Sequence, residues 1–353
     1  MADKLRLAPA IEQYLLWRKA NGKAKNTIKN DHEVLRGLLS TSGDLYLSSL
    51  GQGHVDTHLI GRAASRGANA MAIDFTVLNG FFRWAVRNRQ IGRFDNPMEG
   101  RSAPKHQSTE RNRVPMKDFG RLLDAAEAHH IRDRMVIALG LHLFLRGSEI
   151  ATIKIGDLRL DDGEIRVSMW KTRDSDIMPI SRELDTELRR WLTHYGSEQG
   201  PLDADWYLVP AKRRHVAVYD RDLGRLVGVP TSTGRLNPTH PIVKIEEIPQ
   251  RALAGIGFTM RDRDGKSARE GVHTLRRSGA RARFDTLEAL GYDGAIRHVQ
   301  TMLHHSTMAM TEHYLGLTLD RVKRNELVRG QRMFGTDENV VELAPRQTLA
   351  VEA

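Results

Sequence analysis

One stretch of the chain, from Asp157 to Ile180, carries the alternating pattern of a β-sheet. Apolar and polar residues alternate on both sides of an Asp162-Gly163 turn, which predicts a hairpin with these apolar positions: Leu158, Leu160, Ile165, Val167 and Met169. A third strand follows, and its Pro179 predicts an edge position. Elsewhere apolar residues recur mostly at helical spacing. The sequence therefore predicts a mainly α fold with a small antiparallel β-sheet.

The first hundred residues predict a domain of short helices. The clearest helix runs from Asn69 to about Asn88, and its apolar face consists of Met71, Phe75, Leu78, Phe81, Phe82 and Ala85. Thr27 is a good N-cap and predicts the start of the second helix. A chain of 353 residues has room for two domains. We predict the first domain over residues 1–98.

Residues 99–113 lack apolar periodicity and are rich in helix breakers and cations, which predicts a basic interdomain linker. A solvated connector without a DNA-binding role is equally compatible with this composition. The second domain then spans residues 114–325. Glycines and prolines break any period over about 209–248, a stretch that we interpret as an inserted loop or small hairpin. Residues 326–353 form a polar tail.

The amino-acid composition of the chain narrows the classes of function that it can have. Lysine and arginine outnumber acidic residues by 54 to 44, which favours a polyanionic partner without identifying one. The absence of cysteine excludes disulfides, thiolate metal sites and cysteine nucleophiles. No His-Glu-x-x-His sequence occurs, which disfavours a metal site. The sequence shows neither a membrane-spanning apolar run nor the apolar core of a signal peptide, so we expect a cytoplasmic protein.

The chemistry of the chain is concentrated between Gly271 and Leu317. A histidine and an arginine stand three residues apart in His273-Thr274-Leu275-Arg276 (276 − 273). His305 precedes Tyr314 by nine residues (314 − 305). Two further cations stand apart from this stretch: Arg146 follows an apolar helix, and Lys171 lies at the predicted tip between the second and third strands. Phosphodiester transfer needs a nucleophile, cations that hold the phosphate oxygens and an acid for the leaving oxygen, and these residue types supply all three.

Each of these residues also has a structural interpretation when it is taken singly. Tyr314 shares a helical face with Met310 and Leu317, which is typical of a core tyrosine. Arg146 could cap the preceding helix, and a lysine on a turn such as Lys171 is usually just solvated. The functional interpretation depends on their joint occurrence.

Taken together, these motifs resemble the tyrosine recombinase, or phage integrase, family over roughly residues 113–325. Leu145-Arg146-Gly147-Ser148-Glu149-Ile150 is similar to its first arginine box, and His273-Thr274-Leu275-Arg276 to its His-x-x-Arg box. Leu303-His304-His305-Ser306 followed by Tyr314 is similar to its Leu-Gly-His-Ser…Tyr box. The resemblance implies a helical, SAM-like core-binding domain followed by an α+β catalytic domain.

The resemblance also implies a role for each matching residue and no cofactor or metal. The implied roles are Tyr314 as the nucleophile that forms a 3′-phosphotyrosyl link, Arg146 and Arg276 as the phosphate clamp, Lys171 as general acid, His273 as acid/base, His305 as a hydrogen-bond donor to the phosphate and Glu149 as a supporting residue. His304 departs from the family, which mostly has Gly there, and we choose His305 on register. The long insert before His273 is a second departure.

The partners implied are double-stranded DNA with attachment or core sites, three further subunits in a homotetramer, and a Holliday junction as intermediate. An excisionase or a host bending protein is a candidate partner, and the C-terminal tail is a candidate for exchange between subunits. Outside the site, the basic residues that we expect to contact DNA phosphates are Lys23, Lys25, Lys29, Arg83 and Arg87. We predict a phage or mobile-element integrase. A Xer-like chromosome or plasmid dimer resolvase, or a non-catalytic DNA-binding regulator on the same scaffold, is the alternative.

Overall fold

The computed structural model describes residues 5–105, 113–169, 174–214, 218–220, 225–227, 232–258 and 270–317. The chain divides into two compact units, Met1–Thr109 and Glu110–Ala353. This division falls inside the stretch 99–113, for which the sequence predicts a linker.

The first unit is helical. Its elements are α1 (Leu7–Ala20), α2 (Lys25–Ser42), a 3₁₀ turn (Leu47–Ser49), α3 (Gln52–Ala63) and α4 (Ala68–Arg87). The expectation that Thr27 caps α2 is wrong. The helix begins two residues earlier, and its N-cap residue, Ala24, makes no side-chain capping bond. The Ile28 backbone N–H donates to the Ala24 carbonyl oxygen at 3.1 Å, so Thr27 already lies inside the first turn and cannot be the N-cap.

The core of the first unit lies along α4. Its predicted apolar face is buried at Phe75, Leu78, Phe81, Phe82 and Ala85, whereas Met71 is half-buried. Asp74 lies on the same helix with its side chain fully buried. Its carboxylate accepts hydrogen bonds from Arg62 Nε at 2.6 Å and Arg66 Nη1 at 3.0 Å, so the buried charge is compensated.

The second unit contains the helices and strands described after residue 113. Its helices are α5 (Phe119–Glu127), α6 (Ile131–His142), α7 (Gly147–Thr152), α8 (Arg182–Gln199), α9 (Glu247–Gly255), α10 (Val272–Ala289), α11 (Ala295–Met302) and α12 (Met308–Leu315). Short 3₁₀ turns occupy Met116–Asp118 and Ile155–Asp157. Helix α6 is buried along nearly its whole length, from Met135 to Leu141, and forms the centre of the core.

The predicted sheet is present, with strands β1 (Leu158–Arg159), β2 (Glu164–Met169) and β3 (Asp174–Pro179) in the antiparallel order β1-β2-β3. The register pairs Val167 with Asp176 and Met169 with Asp174. Pro179 lies on β3, an edge strand, where its missing N–H interrupts no ladder. Residues 170–173, which join β2 to β3, lie outside the described residues.

The stretch 209–248 contains strands. Strand β4 (Pro210–Arg214) pairs antiparallel with β7 (Ser232–Pro241), and β5 (Val218–Asp220) pairs antiparallel with β6 (Arg225–Val227). The fold is thus mainly helical with small antiparallel sheets, as the sequence predicts. Within the described part of the chain, no helix is both long enough and apolar enough to cross a membrane.

A close approach of two helices brings the site residues together. At Gly279 on α10, a Cβ atom would overlap the carbonyl oxygen of Leu141 on α6, so only glycine allows this contact. The approach sets α10 beside the segment that leaves α6. Arg276 on α10 and Arg146 beyond α6 therefore project into the same region.

Candidate active site

Arg146 is held by its neighbour Glu149 at the start of α7. The backbone N–H of Arg146 donates to Glu149 Oε2 at 2.7 Å, and Arg146 Nη1 donates to Oε1 at 2.6 Å. The Glu149 side chain is 1% exposed, whereas that of Arg146 is 25% exposed. The carboxylate therefore holds the arginine from its buried side, and part of the Arg146 side chain stays exposed to solvent.

Arg276 lies on the second turn of α10 and is almost fully buried. Its Nη1 donates to the carbonyl oxygen of Phe144, and its Nη2 donates to that of Leu303 at 2.6 Å. Nη1 also lies 3.9 Å from Glu149 Oε2. Burial lowers the pKa of Arg276, and the positive charge of Arg146 lowers it further. The two predicted clamp arginines thus share one buried carboxylate.

Tyr314 comes near the end of α12 and points to the same cations. Its hydroxyl oxygen is buried and makes no hydrogen bond of good geometry with the described residues, although the Arg276 guanidinium lies within hydrogen-bonding reach of it. Burial raises its pKa, and the positive charges of Arg276, Arg277 and Arg146 oppose that rise. A buried phenol whose hydrogen bonding is incomplete normally costs free energy. Here it is placed where a positively charged site could stabilise its ionised form.

His305 touches the tyrosine. Its ring makes an edge contact with the Tyr314 ring, with centroids 5.2 Å apart and planes at 82°. His305 Nδ1 lies 3.2 Å from Thr311 Oγ1 on α12. The structure therefore places His305 beside Tyr314.

His304 lies one residue before, in a different environment. Its φ is +52°, in the left-handed region that favours glycine. Its Nε2 lies 2.8 Å from Asp176 Oδ2 on β3. The side chain thus faces the strand pair β2–β3 and not the tyrosine ring.

His273 is the second residue of α10 and is exposed to solvent. Desolvation lowers its pKa, and the nearby charge of Arg276 lowers it further. The imidazole is therefore mostly neutral near pH 7, the state in which it can accept a proton. Lys171, the predicted general acid, lies outside the described residues.

Sequence reasoning missed Glu246. Its Oε2 accepts a hydrogen bond from the Val272 backbone N–H at 2.8 Å, so it caps α10 directly before His273. It also missed Arg277, whose Nη2 donates to Glu270 Oε2 at 3.0 Å and whose charge acts on Tyr314. Glu246 is distant in sequence from the helix that it caps, so no local motif indicates it. Arg277 directly follows Arg276 in the His-x-x-Arg box, and this adjacency was the available signal.

The predicted DNA-contacting residues of the first unit are exposed at all five positions: Lys23, Lys25, Lys29, Arg83 and Arg87. Another basic residue of the same region, Arg18, forms an ion pair within the protein. Its Nε donates to Oδ2 of the buried Asp31 at 2.8 Å.

Only one trio of side chains within the described ranges could hold a metal ion: His130, His194 and Glu198. His130 Nδ1 accepts the backbone N–H of Arg132 at 3.0 Å, so in the neutral ring the hydrogen is on Nε2. Metal binding through Nε2 would move the hydrogen of the neutral ring to Nδ1, which could then no longer accept the Arg132 N–H. None of the three belongs to the Tyr314 site.

The model of the phage integrase family matches residues 112–320, more than half of the chain, and this span includes every predicted catalytic residue. The chain belongs to the phage integrase family. As a member it is a site-specific tyrosine recombinase, an enzyme that cleaves and rejoins DNA strands.

Two similar proteins are also tyrosine recombinases. The chain is 24% identical to tyrosine recombinase XerA of Thermococcus kodakarensis over 316 residues, which is 89% of this chain and 93% of that protein. It is 29% identical to XerC of Salmonella typhi over 174 residues, which is 47% of this chain and 56% of that protein.

Two solved structures share the fold. One is a lambda integrase dimer bound to a COC′ core site, with a TM-score of 0.64 and 17% identity, covering 88% of this chain and 77% of that chain. The other is a lambda integrase tetramer bound to a Holliday junction, with a TM-score of 0.66 and 16% identity, covering 89% of this chain and 78% of that chain. At these identities the likeness establishes a common fold.

Proposed function

We propose that this recombinase is a phage or mobile-element integrase that cuts double-stranded DNA with Tyr314 as nucleophile. One observation carries the proposal. The buried Tyr314 hydroxyl makes no hydrogen bond of good geometry within the described residues, and it lies beside the positive charges of Arg276, Arg277 and Arg146, of which Arg276 is within hydrogen-bonding reach. This is the arrangement that an incoming phosphate diester would complete.

In the proposed reaction, Tyr314 Oη attacks the scissile phosphorus and forms a 3′-phosphotyrosyl ester. The bond from phosphorus to the 5′ oxygen breaks, and that oxygen leaves with the bonding pair. The phenol loses one proton and the 5′ oxygen gains one. Lys171 is the proposed donor of that proton, and His273, with its lowered pKa, is the proposed acceptor of the phenolic proton.

Arg146 and Arg276 are the proposed clamp for the non-bridging oxygens. A guanidinium carries five N–H donors. Arg276 gives one to the Phe144 carbonyl and one to the Leu303 carbonyl and lies within reach of the Tyr314 hydroxyl, so its remaining donors are available to a phosphate beside the proposed nucleophile. Because these two bonds fix the plane of the group, it needs little reorganisation when the substrate binds. His305 is proposed to donate a further hydrogen bond to the phosphate.

The phosphotyrosyl ester retains the energy of the cleaved bond. The 5′-hydroxyl of another strand can therefore attack it and restore a phosphodiester without any nucleotide. The charge stabilisation comes from arginines, so the proposed reaction needs no metal ion. Both strands would be exchanged in sequence by a homotetramer on two sites, through a Holliday junction.

In this proposal, residues 1–98 are the core-site-binding domain and residues 99–113 the basic linker between the two domains, and the protein acts on DNA in the host cytoplasm. Residues 114–325 are the catalytic domain, and the tail 326–353 is exchanged between subunits. The second candidate is a Xer-like dimer resolvase. The match to XerA, which covers most of both chains, favours it over a non-catalytic regulator.

The proposal is tested by covalent trapping. The protein is incubated in EDTA with labelled, nicked duplexes tiled across the DNA that flanks its gene, and products are separated on a denaturing gel. We expect a protein-bound strand with one duplex, and loss of that band in Tyr314→Phe. Tyr292→Phe is the matched control because Tyr292 is 53% exposed and lies outside the site. A duplex that is bound but never linked to the protein would contradict catalysis.

A plasmid assay then separates the two candidate roles. Paired target sites are placed either on one supercoiled plasmid or on two separate molecules. Joining of two molecules supports the integrase, whereas deletion confined to directly repeated sites on one plasmid supports the resolvase.

A further inference from the structure

The helix that carries Tyr314 is short and buries few of its side chains. Helix α12 has 8 residues, Met308–Leu315, of which only Thr311 and Leu315 are buried. Helices of this length are not stable by themselves in water, so their position depends on the contacts that they make with other elements. Tyr314 lies in the last turn, and the contacts at the C-terminal end of α12 therefore fix its position most directly.

The C-terminal end of α12 is closed by Gly316 and by an arginine packed on it. Gly316 is buried and has a φ of +72°, in the left-handed region. An added Cβ atom at this residue would overlap Nη2 of Arg113. The Arg113 guanidinium therefore packs directly against the backbone two residues after Tyr314 (316 − 314). Glycine is required here both by the backbone conformation and by the space that the guanidinium fills.

A second arginine contacts the same helix end. Arg281 on α10 donates from Nη1 to the carbonyl oxygen of Leu315 at 3.1 Å. Its Nε donates to the two carboxylate oxygens of Asp285 at 2.8 and 2.9 Å. The last carbonyl groups of a helix have no partner within the helix and carry partial negative charge, so cations at this end are stabilising. Arg113 approaches the same end from a distant part of the sequence.

The segment that carries Arg113 is itself fixed on α10. The backbone N–H of Val114 donates to Oγ of Ser278 at 2.9 Å, and this hydroxyl donates to the carbonyl oxygen of Thr274 at 2.7 Å. The Val114 side chain is buried in the core of the second unit. Ser278 comes two residues after Arg276 on the same helix (278 − 276). Arg113 therefore links the helix of the proposed phosphate clamp to the helix of the proposed nucleophile.

We infer that Arg113 is a positioning residue that holds the end of α12 and thereby aligns the Tyr314 hydroxyl for attack on the scissile phosphorus. The inference rests on the proposed function, because it takes Tyr314 as the nucleophile. Arg113 acts through the helix and does not touch the reacting atoms. It belongs to the stretch 99–113 that the sequence predicts as a basic linker, but its guanidinium packs against a buried residue of the second unit.

The test separates the attack by Tyr314 from the rest of the chemistry. Cleavage of a nicked duplex under single-turnover conditions needs the tyrosine. Strand joining is measured on a duplex whose 3′ phosphate carries a p-nitrophenyl ester in place of the phosphotyrosine. There the 5′-hydroxyl of the adjoining strand loses its proton and attacks phosphorus, and p-nitrophenolate leaves with the bonding pair. Joining needs the clamp but not the tyrosine, so it is measured in the Tyr314→Phe background.

Two variants disturb the contact from its two sides. Arg113→Ala removes the guanidinium, and Gly316→Ala adds a methyl group that displaces it. Arg146→Ala is the reference for loss of the clamp itself. Arg189→Ala is the matched control, because Arg189 is 54% exposed and pairs with Asp185 on the same helix, α8.

We expect Arg113→Ala and Gly316→Ala each to slow cleavage by roughly 10- to 100-fold, because a displacement of about 1 Å from the attacking geometry can cost ~100-fold. The double variant should be no slower than the slower single variant, since the two residues form one contact. In joining, both variants should stay within about 2-fold of Tyr314→Phe alone, whereas Arg146→Ala should slow both reactions. Arg189→Ala should change neither rate.

Equal slowing of cleavage and joining by Arg113→Ala would overturn the inference, because it would indicate damage to the clamp or to the fold. Unchanged cleavage would overturn it as well. Two reference reactions separate these results from failure of the proposed function. If wild type forms no adduct, or if Tyr314→Phe does not join the activated strand, the proposed chemistry fails and the inference fails with it. If both reference reactions succeed while Arg113→Ala cleaves like wild type, the positioning role alone fails.

Discussion

Removal of the Glu149 carboxylate should destabilise the second unit of the chain and disable the site together. This carboxylate is 1% exposed, accepts two hydrogen bonds from Arg146 and lies 3.9 Å from Arg276 Nη1. In Glu149→Ala, two like charges would face each other across a cavity. We therefore expect loss of folding free energy and of phosphate alignment.

The expected loss of folding free energy follows from the burial of the Glu149 carboxylate. Breaking a buried ion pair by removing one partner costs about 3–5 kcal/mol. Arg146 keeps 25% of its side chain exposed, so water can solvate it in part and the lower end, about 3 kcal/mol, applies. For a domain of this size each kcal/mol lowers Tm by roughly 2–4 °C, which gives about 6–12 °C. Glu149→Gln keeps the shape and one acceptor, and should cost about 1–2 kcal/mol.

Calorimetry of the full chain measures the Tm of Glu149→Ala and of Glu149→Gln. Asp74→Ala identifies the transition of the first unit, because its buried carboxylate pairs with arginines of that unit. Asp205→Ala, in an exposed pair with Lys154, is the control and should leave Tm unchanged. If Glu149→Ala melted like wild type and still cleaved DNA, the buried carboxylate would not hold the clamp.

Three further predictions concern other parts of the chain. Gly279→Ala should lower the free energy of unfolding by about 1–3 kcal/mol in urea titrations, since the added methyl overlaps the Leu141 carbonyl. Burial, and then the charge of Arg62, lowers the pKa of His58 below its usual 6.5, so the unfolded state binds its proton first as pH falls. The free energy of unfolding of wild type should therefore drop below about pH 6.5 by more than that of His58→Gln, and parallel pH curves would contradict the burial effect. Lys29→Ala should reduce the slope of log binding constant against log salt by roughly one, and an unchanged slope would remove that residue from the DNA contacts.

The parts of the fold that the sequence predicts are those with a local cause. The alternation around Asp162-Gly163 predicts the hairpin, and the face of α4 predicts the first core, because periodicity reflects burial directly. The motif residues Arg146, Arg276, His305 and Tyr314 lie close together in the structure. Their chemical roles remain proposals.

The parts that the sequence does not predict depend on contacts between distant segments. Glu246 caps a helix that begins 26 residues later, and Asp176 meets a histidine 128 residues away. Neither pairing leaves a local pattern. Thr27 shows the opposite error: a favourable capping residue is present, but α2 begins at Lys25 and Thr27 lies within its first turn.

Chemical identification of the linkage site tests the central claim most directly. The covalent adduct is isolated from a denaturing gel, trimmed with nuclease, digested with protease and sequenced by mass spectrometry. The account predicts a nucleotide attached through its 3′ phosphate to Tyr314, within the peptide that contains Met308–Leu315. A nucleotide on Tyr292, on a serine or on any other residue would contradict it, whatever the activity of the Tyr314→Phe variant.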